Sequence, residues 1–335
     1  MNNKTIVDEE EINMTKTNQI FYIKDILSTD ESAKAISKNL LRPIAESVDN
    51  PVVIVFSKGN EEDTTEFKNK WDPIFKEVKD AVPESNVQFY YTIVKPDTTF
   101  SQLHNIVLKD ILDGYEKNTD FSSHVHILAG WASFIDKLPG EFDPKVTRLQ
   151  EAINHIIKLM DLLDLPVWTC TASDKLNLGL NARYFTRIDF INTGKDAVPG
   201  IPEVFMVAGA SNMDWLVIDV AKFKKSNINL NLNEGYTQYF FAINEFIVKL
   251  ASQVPGYFFD GYPTVPVEVG ALGRCSITDP DLDLQKNNIS HEERDKNIKI
   301  LEESCKDYDN KVPPRGLDTI IKYYAEFMKT LAKAD

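Results

Sequence analysis

With 335 residues and 43% hydrophobic side chains, the chain can bury one large α/β core with appendages, or two modest domains. Its formal net charge is −14. That charge, with no block of clustered Lys and Arg, argues against nucleic-acid and membrane-surface partners. No apolar run is long enough for a membrane helix, and residues 1–18 lack a signal peptide's basic and apolar regions. Three scattered cysteines are too few for a disulfide framework or a Cys-type zinc site.

These bounds predict a cytoplasmic (intracellular) protein in a reducing compartment, with no cofactor and no bound metal. The first 18 residues are polar and acidic, and we expect a disordered tail. Residues 19–50 are predicted to form an N-terminal helical extension, because apolar residues recur at helical spacing over Thr29–Ser47. Pro43 is expected to kink or shorten that helix.

Residues 51–253 alternate between strand-like and helix-like segments and form the predicted main domain. The predicted strands are Val52–Phe56, Val87–Val94, His124–Ala129, Pro166–Thr171 and Glu203–Val207. Helices are predicted to begin near Asp72-Pro73, Phe100 and Asp143-Pro144, and a last one carries an apolar stripe from Tyr236 to Leu250. Strands separated by such helices pair in parallel through right-handed crossovers. The pattern predicts a three-layer α/β/α sandwich with a mostly parallel, flavodoxin-like sheet.

Residues 254–335 form a predicted C-terminal region of different composition. It begins with an aromatic, Pro- and Gly-rich segment that includes strand-like Val265–Val269. A charged stretch follows, helical around Glu292–Glu303, and Leu317–Leu331 is predicted as a terminal helix. The triplet Asp279, Asp281 and Asp283 lacks the glycine and the final glutamate of a calcium loop, which favours a solvated linker.

Chemistry in open α/β sheets sits at the carboxyl ends of the strands. No glycine-rich phosphate motif follows the first predicted strand, which disfavours ATPase and dinucleotide-binding functions. The predicted strand ends instead hold Ser57, Lys95–Thr99 and Gly130–Ser133. The chain then reaches Asn229–Leu250, where Leu232-Asn233-Glu234-Gly235-Tyr236 opens the last helix.

This order of segments resembles an SGNH (GDSL-type) hydrolase over about residues 52–250. The resemblance implies an SGNH-like fold, with Ser57 at the nucleophile position and Gly130 as the retained glycine of the third catalytic block. It also implies an ancestral cleft around Asp97, Thr98, Trp131, Ser133 and Asn231. The family's Gly-Asp before the serine is missing, Ser133 replaces the oxyanion-binding Asn, and Asn231 and Ile228 replace the catalytic His and Asp.

Another histidine could act in place of the missing base. His104, near the start of the second predicted helix, is the best spare general base. His124 and His126 share one strand face and could bind a metal, but polar strand-end residues are the favoured interpretation. A nuclease core on Glu203 and Asp219 lacks its lysine, and a glycosyltransferase-like domain lacks a DxD motif at a strand end.

The leading prediction is therefore a degenerate SGNH-like pseudo-hydrolase that acts as a protein-binding or assembly module. Its expected contacts are with a protein partner or with a second copy of itself. The contact surface is assigned to the aromatic residues Tyr257, Phe258, Phe259 and Tyr262, which could equally cover the sheet edge. One alternative is a serine esterase or acyl hydrolase using Ser57. Another is a self-assembling structural protein associated with a mobile element or virus.

Overall fold

The fold is taken from a computed structural model. It describes residues 19–60, 64–118, 121–130, 132–134, 148–162, 164–169, 187–191, 203–208, 213, 215–237, 239–253, 258–262, 267–269 and 290–308. The predicted acidic tail, the start of the Asp143-Pro144 helix and the predicted terminal helix Leu317–Leu331 lie outside these residues.

A mixed six-stranded sheet forms the centre of the molecule, in the order β3-β2-β1-β4-β9-β6. Its strands are β1 (Gln19–Asp25), β2 (Pro51–Lys58), β3 (Gln88–Val94), β4 (His124–Ala129), β6 (Val167–Thr169) and β9 (Trp215–Asp219). Strands β1 to β4 pair in parallel, and β9 runs antiparallel between β4 and β6. Five of the six strands therefore point the same way.

Two small sheets complete the strands. One has the order β10-β8-β7 and consists of β7 (Arg187–Ile191), β8 (Glu203–Ala208) and β10 (Phe258–Tyr262). The other pairs β5 (Ala132–Phe134) with β11 (Val267–Val269). The predicted strand over Glu203–Val207 is thus real, but it belongs to the three-stranded antiparallel sheet and not to the main one.

Helices cover both faces of the main sheet, which confirms the predicted α/β fold. On one face α1 (Asp30–Ile36) and α2 (Arg42–Ser47) contact α3 (Thr65–Ala81), and α2 also contacts α5 (Arg148–Leu162). On the other face α4 (Phe100–Lys117) contacts β1, α6 (Val220–Ser226) and α7 (Tyr239–Gln253), and α8 (His291–Cys305) packs on α7. None of the helices in the described ranges combines the length and apolar character that crossing a membrane requires.

The segment 19–50 differs most from its predicted form. Its helical part is present as α1 and α2, joined by a π-helical turn over Ser37–Leu41 just before Pro43. The predicted helical extension also contains β1, however, and β1 lies between β2 and β4 in the middle of the sheet. Residues Ile20–Ile23 are fully buried there, so the sheet begins well before the predicted boundary at residue 51.

Two further differences concern order and helix starts. The order 3-2-1-4 is that of a Rossmann-type doubly wound sheet, whereas a flavodoxin-like sheet has the order 2-1-3-4-5. Helix α3 begins at Thr65 instead of Asp72, so Pro73 lies inside the helix. A Rossmann-type and a flavodoxin-like sheet give the same alternation of strand and helix segments in the sequence. Strand order is decided by tertiary packing and leaves no local signal.

Candidate functional site

Ser57 ends β2 at the carboxyl edge of the main sheet, where the fold predicts chemistry. Its side chain is fully buried, and its hydroxyl donates a 2.7 Å hydrogen bond to Oδ2 of Asp25 at the end of β1. The parallel register of β1 and β2 places these two residues directly beside each other. The candidate nucleophile is therefore hydrogen-bonded to a carboxylate from the neighbouring strand.

Asp25 organises a group of residues that we call the Asp25 cluster: Asp25, Ser28, Ser32 and Ser57. The other carboxylate oxygen, Oδ1, accepts hydrogen bonds from the Ser32 hydroxyl at 2.8 Å and from the Ser28 backbone N–H at 3.0 Å. Ser28 adopts a left-handed backbone conformation with φ of 54°. Burial raises the pKa of the Asp25 carboxyl, and the hydrogen bonds from Ser57, Ser32 and Ser28 offset part of that increase.

Positive charges lie around the Asp25 cluster. The Lys70 ammonium donates to the Ser28 carbonyl at 2.8 Å, and the Ser28 hydroxyl accepts from the Lys58 backbone N–H at 2.8 Å. Burial lowers the pKa of the Lys58 amine, while the nearby Asp25 and Asp97 charges act in the opposite direction. The carboxyl edge of β1 and β2 is thus a connected polar network in which the described groups are paired.

His104, the predicted spare base, lies on α4 and is fully buried. Its Nε2 is 3.2 Å from the Leu230 carbonyl oxygen, and its ring packs edge-on against Phe246. Burial, followed by the charge of Lys24, lowers the His104 pKa well below its ordinary value, so the ring is neutral. The hydrogen bonds of Ser57 and of His104 go to different partners, and the structure does not join the two residues as a couple.

Gly130 follows β4 and makes a close backbone contact with β1. Its N–H donates to the Lys24 carbonyl at 2.8 Å. A Cβ at this position would lie 2.7 Å from the same oxygen, so only glycine fits without a backbone shift. Close backbone packing therefore explains why a glycine stands here, and its N–H is already hydrogen-bonded.

The remaining cleft predictions are dispersed. Asp97 and Thr98 lie in the turn between β3 and α4; Asp97 is exposed and Thr98 is buried. Asn231 is exposed, and Ser133 lies in β5. Trp131 and Tyr257 fall outside the described residues, while Phe258, Phe259 and Tyr262 belong to β10 at one edge of its sheet.

The segment around Asn231 is held by side chains of α4 and α7. Asn105 bonds both the N–H and the carbonyl of Leu232, at 2.8 and 2.9 Å. On α7, Lys249 donates to the Asn231 carbonyl at 2.5 Å and forms a buried ion pair with Glu245 at 2.6 Å. The Leu-Asn-Glu-Gly-Tyr segment thus has a structural role in joining two helices.

A second polar group lies at the opposite, amino edge of the sheet. We call it the His124 cluster: His124, Asp161, Asp219 and Lys222. His124 begins β4 and pairs with Asp219 at the end of β9, and Asp161 belongs to α5. Sequence patterns did not bring these residues together, because their proximity depends on the antiparallel β4–β9 register. If β9 had been predicted as an antiparallel neighbour of β4, Asp219 would have been placed beside His124.

His126, two residues further along β4, has a packing role. It is fully buried, stacks on Phe21 at a centroid distance of 4.5 Å, and accepts a hydrogen bond from Trp215 Nε1 at 3.2 Å. Burial lowers the pKa of His126 to about 3, so its ring is neutral. Only His124 of the predicted His-x-His pair faces acidic groups.

No protein-family model and no curated protein sequence matches this chain. Among solved structures it is similar to mouse xyloside xylosyltransferase 1 in its apo form, at TM-score 0.30 and 6% identity over 63% of this chain and 69% of that one. It is also similar to a UDP-glucose pyrophosphorylase complexed with UDP-glucose, at TM-score 0.32 and 8% identity over 81% and 97% of the two chains. Likeness this weak does not define an activity. The fold and its edges define an α/β protein with a doubly wound central sheet and a polar cluster at each edge.

Proposed function

We propose that this chain is a binding or assembly module on a degenerate SGNH-like scaffold, without serine-hydrolase chemistry. The observation that supports this proposal most strongly is the state of Ser57. A nucleophilic hydroxyl must reach a substrate carbonyl and pass its proton to a base. The Ser57 side chain is fully buried, and its hydroxyl donates a hydrogen bond to Asp25, which also accepts two other hydrogen bonds.

The surrounding groups favour the same proposal. His104 is neutral, but its Nε2 already contacts the Leu230 carbonyl. The Gly130 N–H is bonded to the Lys24 carbonyl and does not face a substrate oxygen. An acyl-transfer site requires a base and free donors for the developing oxyanion. The candidate donor is bonded elsewhere, and the candidate base makes no bond to Ser57, because His104 Nδ1 has no hydrogen-bond partner among the described residues.

A binding role needs a surface, and β10 is our proposed contact. It carries Phe258, Phe259 and Tyr262 and lies at the edge of its three-stranded sheet. Edge strands offer backbone groups to which another strand can be added. We take a second copy of this chain as the partner, because its own β10 offers the same edge.

The hydrolase part of the proposal is tested by ester turnover with matched serine variants. Ser57→Ala and Ser32→Ala each remove one hydroxyl that donates to Asp25. Ser32 also forms the capping box of α1, so we expect the control to lose at least as much stability as Ser57→Ala. We expect short-chain nitrophenyl ester turnover at the background rate for both variants and for the wild type. Turnover that is lost in Ser57→Ala and kept in Ser32→Ala would contradict the proposal.

That contrary result would establish the second candidate, a serine acyl hydrolase using Ser57. One observation favours it: the Ser57 hydroxyl lies 2.7 Å from a carboxylate whose pKa is raised, as a general base requires. Its burial argues against it, since the Ser57 side chain has no exposed surface for a substrate to reach.

The assembly part is tested by light scattering across a range of protein concentrations. We expect the wild type to self-associate and Phe259→Lys in the edge strand to dissociate it, because a charged side chain opposes strand addition. Lys34→Glu, a charge change on α1, is the control and leaves association unchanged. A wild type that is monomeric at every concentration would contradict self-association.

A further inference from the structure

The His124 cluster gathers three potential metal ligands from three separate elements. His124 Nε2 lies 3.6 Å from Asp219 Oδ2 and 4.0 Å from Asp161 Oδ1. The three ligand atoms all lie within 4.8 Å of one another. Backbone bonds hold the elements in place, from Val220 N–H to the Ser123 carbonyl and from Asp219 N–H to the Pro166 carbonyl, both 3.0 Å.

His124 carries an unsatisfied nitrogen that points toward the two acids. Its side chain is only 8% exposed, and among the described residues Nε2 has no hydrogen-bond partner. The other ring nitrogen, Nδ1, is satisfied by the Ser123 hydroxyl at 3.0 Å. A buried polar atom without a partner is uncommon and calls for an explanation, such as an ion bound at the site.

The opposing carboxylates each direct one oxygen toward His124, and Lys222 contacts the same two oxygens. Asp219 uses Oδ1 to cap α6, accepting from the Lys222 N–H at 2.9 Å, and directs Oδ2 toward His124. Asp161 is 58% exposed, so an ion can reach the site from solvent. Both acids therefore offer one oxygen each, which with the imidazole makes three ligands.

We propose that His124 Nε2, Asp161 Oδ1 and Asp219 Oδ2 form a binding site for a divalent transition-metal ion of the zinc class, with water as the fourth ligand. Tetrahedral zinc holds N and O ligands at about 2.1 Å, which places ligand atoms about 3.4 Å apart. The 3.6 and 4.0 Å contacts would close by about 0.2 and 0.6 Å, and the two carboxylate oxygens, which lie within 4.8 Å of each other, by up to about 1.4 Å. The ion would join the end of α5 to the β4–β9 pair.

The imidazole of His124 suits this role, because Nδ1 contacts the Ser123 hydroxyl and Nε2 is left to face the two acids. A neutral imidazole has the free lone pair that metal binding requires. A nitrogen ligand also favours zinc or cobalt over calcium or magnesium, which prefer oxygen ligands throughout.

Lys222 is the built-in competitor of the ion. Its ammonium lies 3.1 Å from Asp161 Oδ1 and 3.3 Å from Asp219 Oδ2, so it neutralises the same two oxygens. The side chain is 25% exposed and also lies 3.9 Å from Asp164, a carboxylate toward which it can turn. The ion binds only when Lys222 moves away, which makes its removal the most informative change.

The test is calorimetric titration of the metal-free full chain with Zn²⁺, compared across three variants. Lys222→Met keeps the aliphatic stem and removes the charge, and we expect affinity to rise roughly tenfold or more. Asp161→Asn removes an exposed ligand and should weaken binding by more than about 100-fold. Glu116→Gln, at an acid that is 57% exposed and paired with Lys224 instead of Lys222, is the matched control and leaves affinity within a factor of about two.

Titration of Lys222→Met with Co²⁺ gives a second readout that does not depend on affinity alone. We expect the strong visible absorption of a tetrahedral ion without a thiolate charge-transfer band, which separates this site from one built on cysteine. Ca²⁺ and Mg²⁺ should give no heat of binding. The proposal is overturned if Lys222→Met binds no zinc, or if Asp161→Asn and Glu116→Gln bind it equally well.

Discussion

The two edges of the main sheet each carry a buried acid at a strand end, and they differ in how its neighbours are bonded. At the carboxyl edge, Asp25 accepts from two hydroxyls and a backbone N–H. At the amino edge, Asp219 faces a histidine nitrogen that reaches no partner among the described residues. Because buried polar groups are nearly always bonded, an unsatisfied nitrogen that faces two acids needs an explanation, such as a bound ligand.

This contrast reverses the expectation for a doubly wound sheet, where ligands bind beyond the carboxyl ends of the strands. There the Asp25 cluster links β1, the residues before α1 and β2, and Gly130 brings the chain after β4 against β1. The amino edge instead has acids from two elements around one imidazole. In this fold the two edges must be judged by their bonding rather than by position alone.

The largest expected effect is from Asp25→Ala. It removes the shared acceptor of the Ser57 and Ser32 hydroxyls and the Ser28 N–H. The two hydroxyls keep weaker alternatives in Ser28 Oγ and the Thr29 carbonyl, whereas no other acceptor is shown for the Ser28 N–H among the described residues. We expect a loss of about 3–4 kcal/mol in the free energy of unfolding, measured in urea. Asp30→Ala, whose side chain is 80% exposed, is the control and should cost under about 1 kcal/mol. Equal losses in the two variants would mean that the Asp25 cluster is not structural.

Gly130→Ala tests the close approach of the chain after β4 to β1. The added Cβ would lie 2.7 Å from the Lys24 carbonyl oxygen, a backbone atom that cannot easily move. We expect a loss of about 2–3 kcal/mol. Gly235→Ala is matched in chemistry, but its nearest neighbour is the side-chain oxygen of Asn233 at 3.1 Å, which can shift. An equal loss in the free energy of unfolding for Gly130→Ala and Gly235→Ala would contradict the close approach at Gly130.

Asp110→Asn examines a buried acid whose charge is poorly compensated. Burial, with a smaller contribution from Asp113, raises the Asp110 pKa from 3.8 to about 6. The folded state therefore binds more protons than the unfolded state between these values, and wild-type stability falls as pH rises from about 4 to about 6. The variant should be more stable than wild type by about 1–2 kcal/mol near neutral pH.

The readout for Asp110 is the midpoint of unfolding at a series of pH values. Asp80→Asn, at an exposed acid paired with Lys76, is the control and should follow the wild-type profile. A wild type whose stability is flat across this range, or an Asp110→Asn variant that is less stable near neutral pH, would contradict the assigned direction of the pKa.

His124→Asn should have the smallest effect on stability. An asparagine can keep the contact with the Ser123 hydroxyl, while the lost Nε2 makes no hydrogen bond among the described residues. We expect a loss of about 1–2 kcal/mol in metal-free buffer, mostly from lost ring contacts. A loss as large as that of Asp25→Ala would show that Nε2 has a structural partner, and that the two edges are alike.

Much of the fold could be predicted from apolar runs, and the exceptions have physical causes. Strand β2 has a continuous apolar run of the kind that a sheet covered on both faces requires, and β3 and β4 are mostly apolar. β1 was missed because Lys24 and Asp25 end it with two charges, which argue against a central strand. Both are buried there, Asp25 by accepting three hydrogen bonds and Lys24 with its ammonium 5.0 Å from the centre of the Phe100 ring.

The sites were less predictable, because each joins residues far apart in the chain. Ser57 was found as a strand-end polar residue, but its partner Asp25 lay in the strand that was missed. His124 and Asp219 are paired only through the antiparallel β4–β9 register. Direction and order of strands follow from packing between distant segments, so no local pattern carried that information.

The central claim is that Ser57 is a buried structural hydroxyl, and covalent labelling tests it most directly. The intact protein would be incubated with a fluorophosphonate, which forms an oxygen–phosphorus bond with an activated serine and releases fluoride, and then analysed by mass spectrometry. We predict no adduct at Ser57 under native conditions. A stoichiometric adduct mapped to Ser57, absent in Ser57→Ala and kept in Ser32→Ala, would contradict the account.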